Sequence, residues 1–163
     1  MAKMFSNTIT IYMTTRKASV NDINILLAFE QKIIDAERAF DSTLKKGHTY
    51  YYDIQKMITD PVVEIVVAEL NNEVIGCGYA RIKKSEPYLA HENYAYLGFM
   101  YVVPEYRGMG VNKNIIEALK QWIVSRGITE IRLEVYYTNE AAVRAYQKAG
   151  FSKHMIEMRM GIF

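Results

Sequence analysis

Apolar positions along this chain recur with two periods, about two and about three and a half, and the switches between them predict the elements. Residues 8–16, rich in β-branched residues and tyrosine, read as a strand. Ser19 opens a helix, and Asp22 three residues on approximates a capping box with Asp in place of Glu or Gln. Ile23, Leu26, Leu27, Ile33 and Ile34 share one helical face, with a break expected near Gln31 and the pattern fading by Phe40. Gly47 marks a turn. Residues 52–59 form a short helix ended by Asp60 and Pro61, because the residue before proline disfavours helical dihedrals. Two strands follow, 63–70 and 73–83, with Asn71-Asn72 as a hairpin signal between them.

A polar loop carries Pro87, and residues 94–103 are strongly β-like. Pro104 ends that strand, having no N–H to give a ladder. Val111, Ile115, Leu119, Trp122 and Ile123 then lie on one face of a helix that Gly127 closes. In residues 128–137, Ile131, Leu133 and Val135 alternate with Arg132, Glu134 and Tyr136, the period of a strand. Residues 139–149 are a short helix that Asn139 can N-cap and Gly150 terminates. Residues 151–162 are expected to be a last strand pair or one long strand. The order β-α-α-β-β-β-α-β-α-β predicts a mixed sheet with helices on it, an α/β or α+β fold. Residues 1–7 are expected to be a flexible tail, and 8–163 one domain.

Composition narrows the function. At 163 residues the chain is one domain by size, and 50% hydrophobic with 23% charged is the balance of an ordinary folded protein. A net charge of +2 argues against a dedicated nucleic-acid binder, since phosphate contacts need a basic excess. One cysteine excludes an internal disulfide and a Cys-rich zinc site. His48, His91 and His154 are isolated in the sequence, so no metal site is expected. With no long apolar run and no signal-peptide pattern, the expected setting is soluble, reducing and cytoplasmic, away from membranes.

Candidate chemistry lies where Tyr101, Val102, Val103 and Pro104 lead through Arg107, Gly108, Met109 and Gly110 into a helix at Val111. The first N–H groups of a helix lack internal partners, and glycines beside them let an anion approach the backbone. The segment therefore reads either as a phosphate cradle or as a plain strand-to-helix turn. It has neither GxxxxGK[ST] nor GxGxxG. Farther on come Asn139, Ala142, Tyr146, Gly150 and Phe151, spaced as N-x-x-A-x-x-x-Y-x-x-x-G-F.

Together these two segments resemble the GCN5-related N-acetyltransferase (GNAT) superfamily. Its glycine-rich motif is Gln/Arg-x-x-Gly-x-Gly/Ala, preceded by a strand ending V-x-P-E-Y-R-G; its later motif is the asparagine–tyrosine spacing just given. One position departs: Asn112 stands where the family carries Gly or Ala. The resemblance implies a GNAT-like sheet, mostly antiparallel, with one splayed parallel pair formed here by residues 94–103 and 128–137. It implies acetyl-CoA as co-substrate, with no metal. The pantetheine arm would run along the backbone of Tyr101, Val102 and Val103. The pyrophosphate would sit on the N–H groups of Arg107, Gly108, Met109, Gly110, Val111 and Asn112, with Asn139 also at the coenzyme. Lys113 is either a further phosphate contact or a solvated lysine.

By the same resemblance Tyr146 is the general acid for the departing thiolate; on spacing alone, with Ala142 and Ala149, it reads as a core aromatic. Glu134 is the leading general base, the alternative being an exposed strand glutamate paired with Arg132 or a lysine. Glu92, Glu30 and Glu37 are further candidates. The acceptor, a primary amine of a small molecule or peptide, would be met by residues 29–52, whose acidic and tyrosine side chains suit a cation or else form a solvated face. A non-catalytic acyl-CoA sensor on the same fold is the alternative function. A homodimer is left open, through pairing of residues 154–160 between subunits.

Overall fold

A computed structural model describes residues 12–162. Five strands form one sheet in chain order: β1 (Met13–Lys17), β2 (Val63–Leu70), β3 (Glu73–Lys84), β4 (Asn93–Val102) and β5 (Ile131–Leu133). Neighbours pair antiparallel except β4 and β5, which run parallel. Four helices flank the sheet: α1 (Ile23–Glu37), α2 (Ile54–Thr59), α3 (Val111–Ser125) and α4 (Glu140–Lys148). This is the mixed, mostly antiparallel sheet expected.

The strand period sorts β2 onto two cores. Val63, Ile65 and Val67 pack on one face with Leu26, Phe29, Ile54 and Met57; Val66, Ala68 and Leu70 pack on the other with Ile115, Leu119 and Ile123. The β2–β3 hairpin turns at Asn71 and Asn72, both left-handed (φ 52° and 66°), as the primed turns require. Ahead of α1 the capping box forms as predicted: Ser19 Oγ accepts from Asn21 N–H, and Asp22 accepts from Ser19 N–H at 2.7 Å. Asp22 is also gripped by both terminal nitrogens of Arg16, each at 2.8 Å.

Three expectations need correction. First, α1 runs unbroken through Gln31. The apolar pattern lapses there because Glu30 and Gln31 bind the following loop: Glu30 Oε1 accepts the N–H groups of Tyr51 (2.7 Å) and Tyr52 (2.8 Å), and Gln31 donates to Thr49 O (2.7 Å). Second, the strand placed at 128–137 shrinks to Ile131–Leu133, since its ladder with β4 ends at Leu97↔Leu133. Third, residues 151–162 join no ladder; Phe151 packs into the core and the rest lie exposed. The first strand is described as Met13–Lys17; residues 8–11 and the expected tail 1–7 lie outside the described residues. Among the described residues no helix is long and apolar enough to cross a membrane.

Candidate active site

The parallel pair opens into a gap, and a β-bulge sets what faces it. Ala95 N–H points toward β5, reaching Glu130 O at 2.9 Å, whereas Val103 N–H points toward β3, reaching Ile75 O at 2.9 Å. Both are odd-numbered, so one extra residue must intervene, and the register with β3 slips between Cys77 and Tyr79. The bulge centres on Phe99, a buried non-glycine residue held at φ 55°. Beyond it the backbone groups of Tyr101 and Val103 turn to β3, and those of Val102 turn to the gap. β5 no longer follows β4 here. Arg107 Nε donates to Val102 O at 3.1 Å, so that carbonyl is covered by the very next turn.

The chain then turns through a 3₁₀ segment (Pro104–Tyr106) into α3. Gly108 (φ 77°) and Gly110 (φ 84°) are both left-handed, and a Cβ built on either meets open space. Gly110 is the N-cap, and no side chain caps the helix. The N–H groups of Val111, Asn112 and Lys113 are therefore left without a helical or side-chain cap, beside glycines that keep open space. α3 is pinned there by close packing on β3. A Cβ on Gly76 would stand 2.8 Å from Tyr101 O, 3.1 Å from Val111 and 3.2 Å from Ile115.

Across the gap, acids and tyrosines from four elements converge. Glu37, at the end of α1, accepts from Tyr51 Oη at 2.8 Å, and its half-burial raises its carboxyl pKa against that hydrogen bond. After the larger effect of burial, its charge also raises the phenols of Tyr51, Tyr52, Tyr96, Tyr136 and Tyr146. Tyr96 Oη leans toward Glu134 at 3.4 Å. Tyr146, from α4, packs edge-on against Phe151 at 6.0 Å; burial first, then Glu37, pushes its phenol up to about 12. Asp41 is buried and held at about 2 by the Thr43 hydroxyl and N–H and by Arg159. Asn139 caps α4, its Oδ1 accepting from Ala142 N–H at 3.2 Å, which leaves its amide NH₂ for a ligand.

An uncapped helix N-terminus just after β4, beyond the end of its parallel pairing with β5, is the arrangement the glycine-rich sequence motif implies. A family profile, acetyltransferase (GNAT) family, matches residues 31–151, well over half of the chain. The chain belongs to the GNAT family. It is 28% identical over 96 residues to aminoglycoside N(6')-acetyltransferase type 1 of Klebsiella aerogenes, covering 59% of this chain. The chain spans 63% of that relative's length. In fold it resembles a Bacillus halodurans protein solved as a tetramutant (TM-score 0.83, 17% identity, 91% of this chain and 99% of that one). It also resembles a predicted acetyltransferase from Clostridium acetobutylicum solved with acetyl-CoA (TM-score 0.68, 22% identity, 92% and 96%).

In this GNAT chain Glu134 stands beside Tyr96, Tyr146 packs on Phe151 and Arg107 reaches back to Val102, while other sequence candidates are engaged elsewhere. Glu30 is fully buried and spends one oxygen on the loop backbone. Glu92 is exposed in the β3–β4 connection. Arg132 binds Glu130 and His91 and stacks on Tyr94, so it is not Glu134's partner. Tyr96 and Tyr136 were not singled out in the sequence. Tyr96 becomes visible only through the β4–β5 register, which sets it beside Arg132 and within reach of Glu134. Cys77, fully buried with its thiol pushed up by desolvation, is a packing residue.

Proposed function

We propose that this chain is an acetyl-CoA-dependent N-acetyltransferase, moving the acetyl group directly to a primary amine of a small cationic molecule. What carries the reading is the uncapped N-terminus of α3, opening at the mouth of the β4–β5 gap. The turn through Gly108 and Gly110 fits a diphosphate, because it offers backbone donors with no Cβ in the way. Arg107, Met109, Val111 and Asn112 supply the rest of that turn, and Tyr101, Val102 and Val103 line the way into the gap. Val102 presents its backbone N–H there, its carbonyl being held by Arg107, and Asn139 contributes its free amide. The coenzyme supplies the activated acetyl group as a thioester.

The side chains then divide the proton work. Tyr146 stays protonated throughout the working pH range and donates to the sulfur as negative charge develops on it. Glu134, exposed and beside Tyr96, takes the proton from the ammonium as the amine becomes nucleophilic. An unassisted lysine-like amine is neutral in only about one molecule in two thousand at pH 7. The ring of tyrosines with Glu37 suits a cationic acceptor, since aromatic faces and carboxylates both attract positive charge. The similarity to an aminoglycoside N(6')-acetyltransferase supports an amine of that class. The single buried Cys77 is in keeping with a reducing, cytoplasmic setting.

The test is an acceptor screen of aminoglycosides, polyamines, amino acids and peptide N-termini with acetyl-CoA, read by released thiol. Turnover with at least one small amine is expected. Acetyl-CoA binding without transfer to any class would leave a coenzyme sensor instead of an enzyme.

A further inference from the structure

Near the end of β3, Lys83 brings an amine to the proposed acceptor side. The ladder between β3 and β4 pairs Tyr79 with Gly98, Arg81 with Tyr96 and Lys83 with Tyr94. Residues paired across a ladder share a face, so Tyr79, Tyr96 and Lys83 leave the sheet on the side that carries α1 and α2. The rings form a row there, with centroids 5.4 Å apart from Tyr52 to Tyr79 and 6.4 Å from Tyr79 to Tyr96. Lys83 ends the row. Its side chain is exposed, yet Nζ stands over the face of the Tyr96 ring, 4.0 Å from the centroid, where the π system attracts a cation. No other lysine among the described residues is held on an aromatic ring; Lys17 and Lys120 pair with Glu64 and Glu117 instead.

The same ring reaches the proposed base: Tyr96 Oη donates to Glu134 Oε2 at 3.4 Å. One tyrosine thus holds an ammonium on its face and a carboxylate at its hydroxyl. An amine acceptor needs both, a seat for its cation and a base close by to take its proton. Lys83 fills that seat with an amine of the chain's own. Given acetyl transfer at this site, the reading on which this rests, we propose that Lys83 is a self-acetylation site, its Nζ taking the acetyl group of bound acetyl-CoA when no acceptor covers the Tyr96 face. Glu134 takes one proton from the ammonium. The neutral Nζ bonds to the thioester carbonyl carbon as the C–S bond breaks, and the electron pair leaves on sulfur. Tyr146 protonates that sulfur and is reprotonated at the expense of the second proton lost from nitrogen. The products are an acetylated lysine, the coenzyme as its thiol, and one proton passed from Glu134 to water. Acetylation removes the charge from the Tyr96 face, so a cationic acceptor no longer competes with Lys83 for it.

The full chain incubated with acetyl-CoA alone, then digested and mapped by mass spectrometry, reads each lysine separately. Lys83 should gain an acetyl group at least about tenfold faster than the exposed Lys56 and Lys120, which have no base placed beside them. Glu134→Gln should slow labelling of Lys83 by about 10²-fold and leave the rates at Lys56 and Lys120 unchanged. Tyr96→Leu, which removes the seat, should slow it about tenfold. Lys83→Arg keeps the cation on the ring and should abolish the fast acetyl addition seen by intact mass. Melting temperatures check that each variant is folded. Labelling of Lys83 no faster than of Lys120, or equally fast in Glu134→Gln, overturns the proposal. It falls alone if the acceptor screen still shows turnover of a small amine. No transfer to Lys83 or to any amine of that screen overturns the acetyltransferase reading with it.

Discussion

Replacing Tyr146 with phenylalanine removes one oxygen and leaves the ring packed on Phe151, so its effect isolates the hydroxyl. Burial and Glu37 hold that phenol at about 12. A free thiol sits near 8.5, so complete proton transfer to sulfur would be uphill by about 3.5 pH units, or about 5 kcal/mol at 1.36 each. The hydroxyl therefore acts by hydrogen bonding to charge as it develops on sulfur, which is worth about 10²- to 10³-fold. Turnover of Tyr146→Phe at saturating acetyl-CoA should fall by that factor, while the calorimetric Kd for acetyl-CoA changes less than about twofold. The pH profile carries the sharper check. A phenol at about 12 is protonated below pH 10, so any alkaline limb between pH 8 and 10 belongs to another group and must persist in the variant. Loss of that limb in Tyr146→Phe would show that the phenol titrates there and refute the burial argument; unchanged turnover would refute the acid role.

Three further outcomes are expected. Asp22, buried and held at about 2 by Arg16 against its desolvation, gives stability that is full above pH 4 and lost as pH falls toward 2; Asp22→Asn should cost about 2 kcal/mol at pH 7 and flatten that acid limb, read by urea melts. Gly76→Ala drives a Cβ to 2.8 Å from Tyr101 O, so it should cost about 1–3 kcal/mol and, by shifting the start of α3, weaken acetyl-CoA binding as well. Glu30→Ala frees the N–H groups of Tyr51 and Tyr52; a loss of about 2–4 kcal/mol in denaturant melts and a raised KM for the amine with little change in acetyl-CoA affinity should follow.

Local chemistry made much of this protein legible before any coordinates. Ser19 with Asp22, Asn71-Asn72, Pro104, the Gly108–Gly110 turn and Asn139 each act through their own or near-neighbour backbone, and each does in the fold what its residue type dictates. The strand at 63–70 was legible too, and it serves two cores because adjacent side chains of a strand must leave on opposite faces. Where a property depends on residues far apart in the chain, pattern alone misled. The alternation at 128–137 is real, but a strand lasts only as far as its neighbour follows it, and β4 departs after Leu97. The same holds for 151–162, whose strand pattern has no ladder within the chain.

The site divides along the same line. The half proposed to hold the diphosphate is one continuous turn, so its residue types and spacing made it a candidate. The other half is assembled by packing: Glu37 from α1, Tyr51 from the loop that Glu30 anchors, Tyr96 from β4 and Tyr146 from α4 meet only once the sheet has formed. A carboxylate's or a phenol's proton affinity is set by what surrounds it in space, and neighbours in space are not neighbours in the chain.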